Sequence, residues 1–402
     1  MSRRALTPTG WLLAVVLAGW SAFALCPIIG RRLGVMNGDP WFVDSYAVLA
    51  ASDAVRAGLD PFLPNPLDVY HRPHSYSRWW FYLGDLGLTR RDNFLLGGTW
   101  VALFLATSIA LVRPAGRGEM ALAAGTLLAP VVLLGMNRAN NDLTVFILLG
   151  AGLLALRQVT PGRLAIFALM TVLATGLKFY PIVAALALLL VRPGNRMLAA
   201  TGGTIAAGLA VLVWLRTDLQ RAVILAPIQA YTFGAPILFR DLGWTGRGPL
   251  LAGLVLLGLA ALLCHGRGWS VDLAAPAAPV AERLAFACGA LLLVGCFVAG
   301  ISFSYRLMFV LFLLPWLWAR RETPAARVTL LLLLLTLWLD GIYCVTVNTL
   351  IGPMLESRLG HLQRTWRFFT QPVVWAAMAL LAGSLVGLLP AAARTLRQPA
   401  TP

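Results

Sequence analysis

This sequence has little charge. Only 12% of its 402 residues are Asp, Glu, Lys or Arg, about half the share of a soluble chain. That scarcity excludes the two or three soluble domains a chain of this length would otherwise suggest. Lysine is almost missing: of 32 basic residues, one is lysine, Lys178. The five cysteines lie in or beside apolar runs without metal-ligand spacing, so they read as small apolar residues. There is no Walker-type glycine loop, no hydrolase nucleophile elbow and no close acidic pair suited to a metal-bound nucleotide sugar. No small-x-small site follows the first apolar run, which argues for an uncleaved first span.

What fills the chain is apolar: 59% of residues, with a mean hydropathy of +0.79. Runs approaching the roughly 20 residues that cross a bilayer recur throughout. The spacing predicts twelve helical segments, at 11–29, 94–112, 119–136, 142–156, 163–177, 180–191, 197–214, 249–264, 283–300, 306–319, 327–348 and 372–390. Lys178 and Pro181 interrupt 163–191, which fits one kinked helix or two short ones. The expected fold is an all-α polytopic membrane protein forming a single domain over 1–402.

The net charge of +16 would suggest nucleic acid in a soluble protein. Here most arginines flank apolar runs, where they act as topology signals and lipid-headgroup contacts. With the N-terminus inside, every inward connection carries at least two basic residues, as in Arg113 and Arg117, Arg157 and Arg163, or Arg192 and Arg196. The short outward turns carry one each: Arg138, Lys178 and Arg306. This alternation places both termini in the cytoplasm and favours splitting 163–191 in two.

The outward connections are unequal, and the first, about 31–93, is long. Within it Val43, Ala47, Ala50, Ala54 and Ala57 recur at helical spacing, predicting a short amphipathic helix on the membrane or against the bundle. Trp79-Trp80-Phe81-Tyr82 reads as an interfacial aromatic anchor. Seven of the 16 acids lie in this loop, and three of the four histidines, His71, His74 and His361, also map outward.

Three outward turns stand apart: Asn137-Arg138-Ala139-Asn140-Asn141-Asp142, Lys178-Phe179-Tyr180-Pro181 and Ser302-Phe303-Ser304-Tyr305-Arg306. Charges at span ends are costly and tend to be functional or paired. Three cations at one depth can surround a phosphate, or they can be ordinary snorkelling span ends. Asp44, at the start of the predicted loop helix, suits general-base work on a hydroxyl, or simply caps that helix. His71 and His74 have the look of a metal pair but lack a nearby third ligand, so they read as loop histidines.

On these residues the chain resembles the GT-C glycosyltransferases that use polyprenyl-phosphate sugars. The likeness is to the family-87 type, which includes mycobacterial polyprenyl-phosphomannose-dependent mannosyltransferases. The first-loop pattern matches at Asp44, Tyr46, Ala51, Ala54, Gly58, Pro61 and Phe62. The Arg-x-Asn-x-Asp turn matches at Arg138, Asn140 and Asp142, the Lys-aromatic-Pro turn at Lys178, Tyr180 and Pro181, and the Ser-x-x-Tyr-Arg entry at Ser302, Tyr305 and Arg306. These motifs keep the family's order over roughly the first three quarters of the chain. A His71-Arg72-Pro73-His74 segment stands where relatives often have Tyr-Pro-Pro, and His361 is a loose counterpart of a later family histidine.

The resemblance implies a GT-C-type bundle in a bacterial-type plasma membrane, with the active site on its extracytoplasmic face. Asp44 would be the general base, and Arg138, Lys178 and Arg306 would hold the donor phosphate. Tyr46, Asn140, Asn141, Asp142, Tyr180, Ser302, Ser304 and Tyr305 would support them, with His71, His74 or His361 on the acceptor side. A hexose or pentose would pass with inversion from a polyprenyl-phosphate sugar to a lipid or glycan acceptor, with no metal or other cofactor required and no nucleic acid involved. Two other classes fit the composition. A transporter or flippase would use a residue such as Asp340 inside a span, and a non-catalytic envelope-assembly subunit would need no joint cluster of Asp44 with the cations.

Overall fold

The computed structural model describes residues 7–35, 40–191, 194–222, 231–273, 279–351, 356–390 and 393, with no side-chain detail at 350–361. It is built almost wholly of helices. Eight of those described are long and apolar enough to cross a membrane: Pro8–Leu25, Arg90–Val112, Pro161–Lys178, Asn195–Trp214, Gly248–Gly266, Val280–Ala299, Pro324–Thr349 and Leu362–Val386. A ninth crossing is available if Arg117–Leu127 and Pro130–Asn137, bent by 56°, act as one span. The bend falls at Pro130, which lacks the amide needed to continue the ladder. Gly341 lets a neighbouring helix press against the Pro130 ring, where a Cβ would overlap it.

Three helices begin at Thr-Pro pairs, Thr7-Pro8, Thr160-Pro161 and Thr323-Pro324. Each threonine hydroxyl accepts an amide of the first turn, and each proline occupies a position whose N–H would be unpaired anyway. Outer helices carry apolar residues on both faces. On Gly248–Gly266, Gly253, Leu257, Ala261 and Cys264 are buried, while Leu251, Val255, Leu259 and Leu262 are exposed. Exposed leucines in such number are tolerable when the surrounding solvent is lipid. The chain is therefore an all-α integral membrane protein.

Helix fills most of each of the twelve apolar segments expected from the sequence, but of the described helices only eight, or nine with the bent pair, are long and apolar enough to cross a membrane. The 163–191 run breaks in two: Pro161–Lys178 stops at Phe179, whose φ is 64°, and Tyr180–Ala185 continues as a 3₁₀ turn into Leu186–Val191. The segment at 306–319 starts as a 3₁₀ stretch, Ser304–Phe312, and becomes α-helical at Leu314–Ala319. These pieces pack on Val280–Ala299, whose Gly289 admits the 304–313 stretch at a distance no Cβ would allow. Phe146 and Phe312 stack beside them with centroids 4.5 Å apart.

The loop after the first helix carries Val43–Arg56, close to the expected helix. Its buried set includes Val43, Val48, Leu49, Ala50, Ala51 and Ala54, so it is packed against the bundle. Gly58, with φ 73°, turns the chain away after the helix. The aromatic run at 79–82 behaves otherwise than expected. Trp80 is buried and donates its indole N–H to Leu177 O at 3.2 Å, and Trp79 lies over Gly176 where a Cβ would collide. These rings seat the loop on the bundle because Gly176 offers them a flat backbone; Tyr82 alone of the four is more than half exposed.

Candidate functional site

Five loop or turn segments converge at one end of the bundle. The loop helix arrives through Phe42, which takes a left-handed φ of 61° and donates its amide to Asn137 O. Asp44 N then donates to Arg138 O at 2.9 Å, so the loop is tied by its backbone to the 137–142 turn. Phe42 is the N-cap residue and Asp44 lies in the first helical turn, with its carboxylate turned to Arg138 and Asn140.

Asp44 is 4% exposed and surrounded by donors. Arg138 gives it a two-pronged contact, Nε to Oδ2 at 2.8 Å and Nη2 to Oδ1 at 2.7 Å. Asn140 Nδ2 donates to Oδ2 at 2.6 Å, and Arg72 Nη1 to Oδ1 at 3.2 Å. Burial alone would push this carboxyl up; Arg138, Arg72 and Asn140 outweigh it and hold it below the usual carboxylate range. Arg138 in turn is pushed up, chiefly by Asp44.

A second buried carboxylate lies behind the first. Asp142, fully buried, accepts from Tyr180 Oη at 2.7 Å, pairs with Lys178 Nζ at 2.8 Å and meets Arg306 Nε at 3.4 Å. Arg306 Nη1 also donates to Ser302 Oγ at 2.7 Å, and its guanidinium lies 4.8 Å from the Tyr180 ring centroid. Asn140 joins the two clusters. Its Nδ2 serves Asp44, while its Oδ1 accepts from Lys178 Nζ at 3.2 Å and from Asp142 N at 2.9 Å.

The three cations and Asp44 face one cavity of ≈ 470 Å³, whose walls also include Arg72, Tyr76, Phe303 and Tyr305. Four cations (Arg72, Arg138, Lys178, Arg306) pair with three carboxylates (Asp44, Asp68, Asp142), leaving one positive charge in excess. That excess matches a monoanion. Left-handed backbone concentrates here too: Phe42, His71, Ala139 and Phe179 have φ between 41° and 64°, each within two residues of a charged group of the cluster. Such local strain persists only where surrounding structure over-determines it.

Not every expected residue joins. The Tyr46 phenol contacts Arg90 and is not among the cavity-lining residues. Asn141 is buried, and neither of its amide atoms has a hydrogen-bond partner among the described residues. Ser304 turns away and donates to Asp340 Oδ2 at 3.2 Å. His71 is exposed. His74 borders the cavity, but its ring is packed among Phe62, Tyr76 and Phe81 and its Nε2 lies 3.1 Å from Ser77 O. Burial pushes its pKa down to about 4. The side chain of His361 lies outside the described residues. Among the described residues no three His, Cys, Asp or Glu side chains gather as a metal site.

Arg72 was missed as a site residue. The available signal was its i,i+4 spacing from Asp68, which holds it at 3.1 Å (Nε to Oδ1) and 2.8 Å (Nη2 to Oδ2). Tyr76, whose ring lies 5.1 Å from Lys178 Nζ, offered no sequence signal. No protein-family model, curated protein or solved structure matches this chain.

Proposed function

We propose that this protein is a membrane glycosyltransferase of the GT-C kind, moving a sugar from a polyprenyl-phosphate donor to a hydroxyl acceptor. The supporting observation is the shared cavity: a buried carboxylate and three cations from separate turns line it, with one positive charge in excess. A polyprenyl-phosphate sugar is a phosphodiester monoanion, the charge that neutralises the site. The bundle is read as twelve crossings with both termini cytoplasmic and the cavity at the extracytoplasmic end, in keeping with the arginine pairs on the opposite connections.

At rest Asp44 is a weak base because Arg138 grips both its oxygens. A donor phosphate competes for that guanidinium, since Arg binds phosphate as readily as carboxylate. Drawing Arg138 away restores basicity to Asp44. The acceptor oxygen then attacks the anomeric carbon and passes its proton to Asp44, while the anomeric carbon–phosphate oxygen bond breaks. The leaving phosphate gains one negative charge as Asp44 loses one, so the site's total charge is unchanged. Lys178 and Arg306, anchored on Asp142, stabilise the phosphate as that charge develops.

The test is transfer from radiolabelled polyprenyl-phosphate sugars to lipid and glycan acceptors, comparing the wild type with Asp44→Asn. Loss of about 10²–10⁴-fold in rate with donor binding retained is expected for a general base. Equal rates in the two proteins would sink the base assignment, and donor translocation without transfer by the wild type would favour the transporter reading.

A further inference from the structure

Asp44 is saturated at rest. A carboxylate offers about four lone-pair sites, and donors fill them all: Arg138 Nη2 and Arg72 Nη1 on Oδ1, Arg138 Nε and Asn140 Nδ2 on Oδ2. Arg138 touches both oxygens, whereas Arg72 and Asn140 hold one each.

The two arginines are anchored unequally. Among the described residues the Arg138 side chain donates to Asp44 alone. Arg72 is fixed independently of Asp44. Its Nε donates to Asp68 Oδ1 at 3.1 Å, and its Nη2 to Asp68 Oδ2 and to Val43 O, both at 2.8 Å. That leaves Nη1 to reach Asp44 Oδ1 at 3.2 Å. Asp68 is itself 1% exposed, and its Oδ1 accepts the amides of Tyr70 and Arg72 at 2.9 and 3.2 Å. Asn140 is likewise held from behind, its Oδ1 accepting from Lys178 Nζ and Asp142 N.

An anion entering the cavity therefore meets one arginine able to turn to it and one that is not. Arg138 gives up only Asp44, while Arg72 would have to break its fork to Asp68 and its bond to Val43. Once Arg138 leaves, each Asp44 oxygen keeps one fixed donor and regains one lone pair. The carboxylate is then held at two points and has room for a proton. Without Arg72, Asn140 alone would remain, and the carboxylate could rotate about that single contact.

We propose that Arg72, fixed by Asp68, is the positioning residue for Asp44, keeping the carboxylate aimed into the cavity when Arg138 turns to an anionic ligand. Where the cavity transfers glycosyl groups, and this part rests on that reading, Arg72 orients the base while Arg138 takes the donor phosphate. The charged and titratable groups facing Asp44 are Arg72 and Tyr76 from the first loop, Arg138 from the 137–142 turn, Lys178 at the end of its helix and Tyr305 from the 302–306 turn. His74 and Arg306 line the same cavity. Against burial, which raises its pKa, Arg138 and Arg72 hold the Asp44 carboxyl low, so losing Arg72 moves its titration to higher pH.

The test labels Asp44 in the purified full-length protein with a carbodiimide, which reacts with the protonated carboxyl, and reads the product across pH by peptide mass spectrometry. Arg138→Gln reproduces the state in which Arg138 has left. Adding Arg72→Met to it should raise the pH of half-maximal labelling, since a fixed donor and a positive charge are lost together. In transfer assays Arg72→Met should lower kcat by about 10- to 100-fold and leave the donor KM within about twofold of wild type. Asp68→Asn should lower kcat on its own but change it less than about twofold in the Arg72→Met background, because Asp68 acts through Arg72. Arg72→Met strands the buried Asp68 carboxylate, so Asp68→Asn/Arg72→Met, which removes both charges, is the folded form that should carry the same losses. A half-maximal pH that does not move overturns the proposal, as does a raised donor KM with kcat intact. Labelling that shifts in a protein that transfers no sugar overturns the glycosyltransferase reading and leaves the hold of Arg72 on Asp44 standing; transfer without a shift does the reverse.

Discussion

Asp142 offers the sharpest test of the buried charge arrangement. Its side chain is fully buried, and Lys178, paired with it at 2.8 Å, has a side chain only 4% exposed. In Asp142→Asn the amide preserves the shape and can still accept from Tyr180, but two cations lose their carboxylate. Lys178 keeps Asn140 Oδ1 and Arg306 keeps Ser302 Oγ, both neutral partners. Breaking a buried pair by removing one partner destabilises by about 3–5 kcal/mol, against about 0–1 for an exposed pair. The loss expected here is in the upper range, because the Asp142 side chain is fully buried. Lys178→Met in the Asp142→Asn background removes the stranded charge while keeping a stem of similar length, so the double variant should recover about 2 kcal/mol or more. Equilibrium unfolding in mixed micelles, followed by far-UV circular dichroism and by tryptophan fluorescence, measures all four corners of the cycle. A loss below about 1 kcal/mol in Asp142→Asn, or a double variant no better than the sum of the singles, would refute the buried pairing.

Further expectations follow the same logic. The acid limb of kcat/KM, which reports the free enzyme, should lie below the ordinary carboxylate range because Asp44 is held down at rest. The limb of kcat should lie higher, since donor phosphate draws Arg138 away; coincident limbs would count against that competition. His74 has its pKa depressed from 6.5 to about 4, so the unfolded chain takes up the proton first as pH falls. Its contribution is intact above pH 6.5 and is lost on acidification towards pH 4, to a limit of about 3 kcal/mol. Unfolding at stepped pH should show His74→Phe with a flatter profile over that window, and an unchanged slope would contradict the burial of His74. Gly97→Ala should destabilise by about 1–3 kcal/mol, because a Cβ there overlaps the Phe42 ring that seats the loop helix. A neutral Tm for that variant would show the seat to be looser than described.

Much of the architecture was legible from hydrophobicity alone. The break in the 163–191 run was legible from Lys178 and Pro181, and the helix ends at Phe179, whose φ is 64°. The cluster was half legible. Arg138, Asn140, Asp142, Lys178, Tyr180, Ser302 and Arg306 do meet, but Ser304 bonds Asp340 instead and Asn141 joins neither carboxylate. The aromatic run at 79–82 misled, since a Trp pair suited to an interface is equally suited to a flat glycine on a neighbouring helix.

The sequence by itself determined that the chain is a bundle of apolar helices and that its scarce charges split into flanking arginine pairs and isolated cations in short turns. Those properties are local: span length, period and flanking charge need no knowledge of what packs where. Only the tertiary structure decided which carboxylate answers which cation. Asp44 meets Arg138 across 94 residues, and Asp142 meets Arg306 across 164. A single amide, Asn140, couples the two pairs, and Arg72 enters from the same loop as Asp44. Such pairings depend on how close the helix ends come, which is set by glycines under Trp79, Phe42 and Leu313 and by the reversals between helices. Periodicity does not encode those approaches, so the net charge of the cavity became visible only once the bundle was assembled.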